Sequence, residues 1–535
     1  SVAWIASRKD VLYTFFFLIS WQSYLLYSKM ETPDYRKYLL YTISLICFLC
    51  SGFSKIQAVV LPPVLLLSDY LLTGKLNFKQ LKDKIPFFVG AFAFGWYAIS
   101  SSSLVADQFS VPVTFSQKIV YSFQALSYYI IKFIFPFNQS AIYAFPLQGS
   151  AEYYSTLISG VLFLFLILFI CIRFYRRDPL LVTGLMLFLV NILPTLHIVA
   201  LNSSLIYERF TYVSYLGFLM IIVSLSNWIP SIKKSWSLIL ILLSFPVAVM
   251  AYQRCGIWKS SFTLWSDVIK KNPRSHEAFN NRGAHYNEQG DLDKALNDFN
   301  TSLSINARQP RTLNNRSMIW FQKKEYQKAL NDADAALSFD PRLAEAWCNK
   351  ANVYYNLTQY DTALIYYSRA IAIMPYFPSV YTNRGSAYLK KGDYQNALND
   401  YLKAIEQSPD YAEAWRLAAL AYAELGNDQE ALNAMNRASV INPLSNAAVV
   451  LSDEYNFMGQ RVFNQHPDSP DKPIAYYLKS LQINPSNASA YLNLGGMWFV
   501  KHDVAKARDN WKKALASKPG YEEAILWLNR TGGLN

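Results

Sequence analysis

The chain has 535 residues, of which 52% are hydrophobic and 16% charged, with a formal net charge of +13. That is more than one domain usually holds, and the composition splits near residue 255 into an apolar half and a half with charged and amide residues at helical spacing. Most of the basic residues of the apolar half stand in short loops, at Lys29, Arg36 and Lys37, at Lys75, Lys79, Lys82 and Lys84, at Arg173, Arg176 and Arg177, and at Lys233 and Lys234. This is the positive-inside pattern of a membrane protein and not the single basic face that nucleic acid requires, so no nucleic-acid partner is expected.

In the first half, 1–254, apolar runs of about 17 to 22 residues suffice for about eight membrane spans. They are predicted at 11–27, 38–53, 57–72, 85–103, 155–172, 180–200, 212–229 and 236–252. The run 118–136, with Gln124 and Lys132, would invert every later loop if it crossed. It is therefore read as re-entrant or interfacial, since an ionisable group at mid-bilayer is costly. With the basic loops inside, Arg8, Lys9 and Asp10 face outward, and the chain after 252 emerges outside. Cys47 and Cys50 form a C-x-x-C within an apolar span, without the polar company that redox or metal chemistry needs. No residues have metal-ligand spacing, and His197 stands alone.

The stretch 255–275, "WKSSFTLWSDVIKKNP" at its centre, reads as a half-repeat connector. Beyond it, Pro341, Pro375, Pro409 and Pro443 are 34 residues apart, as are Pro485 and Pro519. Gly283, Ser317, Ala351, Gly385, Ala419 and Gly495 form one column of small residues, and Ala295, Ala329, Ala363, Ala397, Ala431 and Ala507 another. A helix-turn-helix period of 34 with this grammar resembles the tetratricopeptide repeat, or TPR. Seven repeats are read over 276–521, then a capping helix and tail at 522–535. The sixth departs from the pattern: Asp453 and Pro473 stand where small residues belong, and an eight-residue insertion is placed around "RVFNQHPDSPD". The fold class expected is all-α, a polytopic membrane domain followed by an α-solenoid.

Asn281, Asn315, Asn349 and Asn383 recur at the sixth position of their repeats, where first helices line the concave surface, with Arg282, Arg316, Lys350 and Arg384 beside them. A ladder of amides can donate to and accept from a peptide backbone without reading its sequence; equally, such a ladder can simply cap or solvate the groove.

Three outward places set charge against apolar spans: Lys9 and Asp10 with Arg8, Lys55, and the pair Glu208 and Arg209. Each can anchor a span at the interface; together they also suit a phosphate held at headgroup depth. In order along the chain, "VAWIASRKDVLYTFFFL", "SKIQAVVLPPVLLLSDYLL", "FPFNQSAIYAFP" and "YERFTYVSYLGF", followed by repeats, resemble the multispan TPR-containing glycosyltransferases of the ER and their bacterial relatives. The resemblance implies a GT-C fold that transfers a sugar, mannose in some members, from a polyprenyl-phosphate carrier to an acceptor polypeptide outside. By resemblance Lys55, Glu208, Arg209, Lys9 and Asp10 meet the carrier phosphate. Ser1 to Ile5 read as the end of an earlier helix, and the resemblance, which matches Lys9 and Asp10 to the charged hairpin after the family's third span, implies that the catalytic acid lies upstream of Ser1; a divalent cation finds no ligand set in this chain. The alternative is a non-catalytic, membrane-tethered scaffold for an envelope complex. A sequon at Asn315 would block the groove if glycosylated, which favours a bacterial inner membrane with periplasmic repeats over an ER membrane with lumenal ones.

Overall fold

The computed structural model describes residues 2–30, 34–75, 78–106, 114–197, 204–207, 211–228, 236–467 and 469–532, and every regular element among them is helical. The chain divides into two compact units, Ser1–Ala307 and Arg308–Asn535. The first unit thus takes in the connector and the first repeat, well past the composition change at 255.

In the first unit, α1 (Val2–Lys29) and α2 (Tyr35–Ser54) form a hairpin. A 3-10 turn (Ile56–Val60) leads to α3 (Leu61–Thr73), and α4 (Ile85–Ala106), α5 (Phe115–Ile134), α6 (Ala151–Phe174), α7 (Pro179–Ile192), α8 (Ser214–Trp228) and α9 (Trp236–Ile257) follow. Small residues bring these helices together. Ser20 Oγ donates to the Ser44 carbonyl (2.6 Å) and Ser44 Oγ to that of Ser20 (2.8 Å), which locks α1 to α2. The α7 and α8 backbones meet at Gly184 and Gly217, where a Cβ on Gly217 would lie 2.3 Å from the Gly184 oxygen. Gly160 on α6 lies against the Phe123 carbonyl of α5, beside a Ser127–Ser159 hydroxyl contact of 2.7 Å. Small-residue contacts with hydroxyls across the interface are the means by which helices associate where lipid removes the hydrophobic drive.

Three described helical stretches are long and apolar enough to cross a membrane: Tyr35–Ser54, Ile56–Thr73 and Ala151–Phe174; Pro179–Thr195 and Ser214–Trp228 are apolar but shorter. The sequence led to an expectation of about eight spans. Two of the differences are local. Residues read as the tail of an earlier helix and a charged hairpin, from Val2 to Asp10, instead belong to one continuous helix, α1. After Ile192, α7 tightens into a 3-10 turn around Pro194, which has no N–H to continue the ladder. The run expected to be re-entrant forms the 20-residue helix α5, packed along α6. Ile158, Leu162, Phe165, Phe169 and Ile172 leave one face of α6 uncovered by protein, and Val89, Phe92 and Trp96 do the same on α4. Lys84 corrects an expectation: it was read as an exposed loop cation, yet it is fully buried.

The first unit closes with α10 (Ser261–Lys271), α11 (His276–Glu288) and α12 (Leu292–Ile305). The second unit holds six further helix pairs: α13 (Pro310–Gln322) with α14 (Tyr326–Phe339), α15 (Ala344–Asn356) with α16 (Tyr360–Ile373), α17 (Pro378–Lys390) with α18 (Tyr394–Gln407), α19 (Ala412–Glu424) with α20 (Asp428–Ile441), α21 (Ala447–Gln465) with α22 (Asp471–Ile483), and α23 (Ala488–Val500) with α24 (Val504–Ser517). The cap is α25 (Glu522–Arg530). Where glycine fills the small position of the first helix, it lies under an aromatic ring of the second. A Cβ on Gly385 would come within 2.7 Å of Tyr401, and one on Gly495 within 2.4 Å of Trp511.

The sixth repeat keeps this contact through Gly459 and Tyr477, not at Asp453, which is exposed. Ala419 to Gly459 spans 40 positions and Gly459 to Gly495 spans 36, so six inserted residues precede the contact and two follow it. The six lengthen α21 to 19 residues where every other first helix of the unit has 13. Most of the insertion therefore lies earlier than the sequence reading placed it. Pro473 falls in the first turn of α22, where the missing N–H costs nothing.

Candidate functional site

Consecutive first helices of the second unit, α13 through α23, pack directly on one another, more than consecutive second helices do. The array therefore curves toward its first helices, and their exposed faces form the inner surface. Asn349 Nδ2 donates to Asn314 Oδ1 (2.8 Å) on the preceding first helix, Asn383 Nδ2 to Asn352 Oδ1 (3.2 Å), and Asn493 Nδ2 to Asn456 Oδ1 (2.9 Å). Asn315 lies half-buried on α13; in the first unit, Asn281 accepts from Asn280 at 3.3 Å. The amides thus stitch neighbouring repeats together, and each spends one donor to do so. The Asn349 carbonyl oxygen takes no hydrogen bond among the described residues. In the sixth repeat the shifted register puts Phe457, which is exposed, at the ladder position.

The basic residues beside the ladder have a different role from the one their position suggested. Arg282 grips Asp298 through Nε (2.7 Å) and Nη2 (2.8 Å), Arg316 grips Asp332 (2.7 and 2.7 Å), and Arg384 grips Asp400 (2.8 and 2.7 Å). Each fork joins the first and second helices of one repeat across 16 residues, so these guanidiniums are engaged inside their own repeats. Lys350, whose repeat has Tyr366 where the others have Asp, reaches Asp334 (2.6 Å) and lies 4.7 Å from the Tyr366 ring centre. The signal was in the sequence: Asp298, Asp332 and Asp400 keep the same 34-residue step as their arginines.

Farther along, Arg461 binds Glu424 at 2.8 Å, and Glu454 shares a hydrogen bond with that same carboxylate. Burial, and then the adjacent Glu424, push the Glu454 carboxyl up to about 7, against the pull of Arg461 and Lys390. A carboxyl whose pKa rises on folding contributes most below its unfolded value, and the contribution is lost as pH climbs through the folded value. The repeat array should accordingly lose about 1 kcal/mol, after solvent screening, between pH 5 and pH 8. Thermal unfolding of the wild type and of Glu454→Gln checks this: the variant should show a flatter pH profile, and equal slopes would refute the assignment.

In the first unit, Asp10 is buried on α1 and forms an ion pair with Lys55, which stands at the extended break between α2 and the following 3-10 turn. Lys9 is exposed. Gln57 is buried nearby in sequence, and its Oε1 lacks a hydrogen-bond partner among the described residues. Ser1, Glu208, Arg209, Lys233 and Lys234 lie outside the described residues. The structure thus joins two of the five residues assigned to a carrier phosphate, and a phosphate at Lys55 has to displace the Asp10 carboxylate.

A second buried cluster was missed from sequence. Lys84 Nζ lies 2.5 Å from Asp69 Oδ2 and 2.9 Å from Asp83 Oδ1. Tyr24 donates to both acids (3.2 and 2.9 Å), and Tyr41 donates to the Asp83 carbonyl at 2.7 Å. In a row of loop lysines, nothing in the sequence singles out the one that turns inward.

Helix pairs repeating every 34 residues, with a small residue of the first packed closely against the second, define a tetratricopeptide repeat array. Residues 294–449 match the family described as the Cilia and flagella-associated protein 70 C-terminal domain. Among solved structures, the chain is similar to a tetratricopeptide repeat protein from Parabacteroides merdae, with 21% identity over 48% of this chain and 99% of that one, at a TM-score of 0.33. It is similar also to the C-terminal part of a TPR repeat-containing protein from Cytophaga hutchinsonii (19% identity, 53% and 99% coverage, TM-score 0.31). A third is YrrB, described as a TPR protein with an unusual peptide-binding site (21% identity, 35% and 97% coverage, TM-score 0.29). No curated protein matches the chain.

Proposed function

We propose that the chain is a membrane-anchored adaptor, in which a helical bundle held in lipid carries a tetratricopeptide groove for an extended segment of a partner protein. The observation that carries this reading is the amide strip along the first helices. Asn349 and Asn383 are held in register by the amides of the preceding repeat, and a fixed row of such groups suits the alternating donors and acceptors of an extended backbone. Anchoring is supported by the three long apolar helices and by the uncovered faces of α4 and α6. The positive-inside count supports an array outside the bilayer, and the sequon at Asn315 favours a bacterial periplasm over an ER lumen.

The test uses the full chain in detergent and a reduced, carboxymethylated polypeptide as probe. Asn349→Ala with Asn383→Ala should weaken binding about tenfold, and should lower the unfolding temperature only by the loss of two inter-repeat hydrogen bonds, about 1 kcal/mol each. Unchanged affinity would remove the groove from the account.

A second reading is a transferase that moves a sugar from a polyprenyl-phosphate carrier to the bound polypeptide. One observation favours it: the buried Asp10–Lys55 pair at a helix break, an arrangement that anchoring alone does not require. Under this reading the protein transfers sugar from a supplied polyprenyl-phosphate donor, and Lys55→Ala abolishes transfer while polypeptide binding persists. No transfer by the wild type leaves the adaptor.

A further inference from the structure

An open cavity of about 1110 Å³ lies within the first unit, between the irregular segment 135–150 and the α10–α11 turn. It is slightly larger than the roughly 300 to 1,000 Å³ of sites that bury a drug-sized ligand. Neither proposed function uses it. The segment is held rigidly: Lys132 Nζ donates to the Phe137 carbonyl (2.7 Å), Lys271 Nζ to that of Gln139 (2.7 Å), and Arg254 to Gln139 Oε1 (2.9 Å).

The lining groups are unevenly engaged. Its acids have partners: Asp267 with Lys271 at 2.7 Å, Glu152 with the Tyr128 hydroxyl, and Glu277 with His276 and Ser275 at 3.4 Å each. Its donors are in excess. Ser140 is 6% exposed and its Oγ has no partner, and the buried Nδ2 of Asn272 has none either. Lys270 and Arg274 are exposed lining residues and form no ion pair among the described residues. The first turn of α11, whose N-cap is Ser275, also borders the cavity and adds the positive end of a helix. Those two buried atoms are closed off from the cavity, so it is the accessible cations Lys270 and Arg274 that favour an occupant supplying carboxylate oxygens.

The rest of the wall is largely apolar and includes the rings of Tyr128, Tyr143 and Phe145. A lone phosphate would leave most of the volume and all three rings uncovered. We propose that this cavity binds an acidic peptide segment, whose carboxylates meet Lys270 and Arg274 while its apolar side chains cover the rings. The site is independent of the amide strip in the second unit.

The experiment titrates the full chain in detergent with a fluorescent peptide alternating aspartate and leucine, and with its asparagine counterpart. The acidic peptide should bind at least about tenfold more tightly, and Lys270→Glu with Arg274→Glu should remove that preference without shifting the unfolding temperature. Asn349→Ala, in the groove, should leave it intact, which separates failure here from failure of the groove reading. Equal affinity for the two peptides overturns the proposal. So does an acidic preference that survives the double substitution, or displacement of the peptide by millimolar inorganic phosphate or by phosphatidylglycerol vesicles, which would assign the site to phosphate.

Discussion

Lys84→Ala is expected to be the most destabilising single substitution considered, at about 3 to 5 kcal/mol. The ammonium is fully buried, with Asp69 and Asp83 as its anions and the Tyr24 ring 4.9 Å beneath it. Removing it leaves the Asp69 and Asp83 carboxylates facing each other, with the single Tyr24 hydroxyl unable to offset both charges. The cluster ties α1, α2 and α3 to the 78–84 turn, so its loss should spread through the hairpin. Unfolding temperature and the yield of monodisperse protein in detergent measure the effect. Adding Asp69→Asn should recover part of the loss, since it removes one of the stranded charges. A Lys84→Ala protein within about 1 kcal/mol of wild type would show that water reaches the cluster and screens it.

Asp400→Ala should come second, at about 2 to 3 kcal/mol. The carboxylate is buried and receives both arms of the Arg384 fork, and Arg384 also donates to Ser368 at 3.0 Å. Truncating the acid strands a half-buried guanidinium between α16, α17 and α18. In a solenoid each repeat is stabilised by its neighbours, so hydrogen exchange should speed up across the fourth repeat and into those flanking it. A double-mutant cycle with Arg384→Ala isolates the fork itself, and a coupling of about 1.5 kcal/mol or more is expected. Additive losses would mean that the two side chains stabilise the repeat independently.

Both predictions concern side chains whose partners are distant in sequence or whose role is hidden by their company. The repeat array was legible because its physics is local and periodic. A small residue must recur wherever two helices cross closely, and the prolines of the repeats fall between helices or in a first turn, so Gly385, Ala397 and Pro409 announce a fold without any tertiary information. The sixth repeat shows the limit of that legibility. Counting in steps of 34 led to Asp453, whereas the contact that defines the repeat is made by Gly459 against Tyr477. An insertion moves wherever packing is least disturbed, and here that was the start of α21.

The candidate sites were legible as residue types and not as arrangements. The amide ladder stood out as a column, yet its spending of donors on Asn314, Asn352 and Asn456 depends on how closely first helices approach. The arginines beside it read as groove cations until the aspartates one helix later were found to hold them.

The sequence alone determined that every regular element among the described residues is helical and that an apolar half precedes a repeat half, because helical periodicity and proline placement act over a few residues. The tertiary structure alone decided which charges are buried. Asp10 meets Lys55 and Lys84 meets Asp69 only because separate helices bring them together, and the cost of burying a charge is set by what faces it, not by its neighbours in the chain.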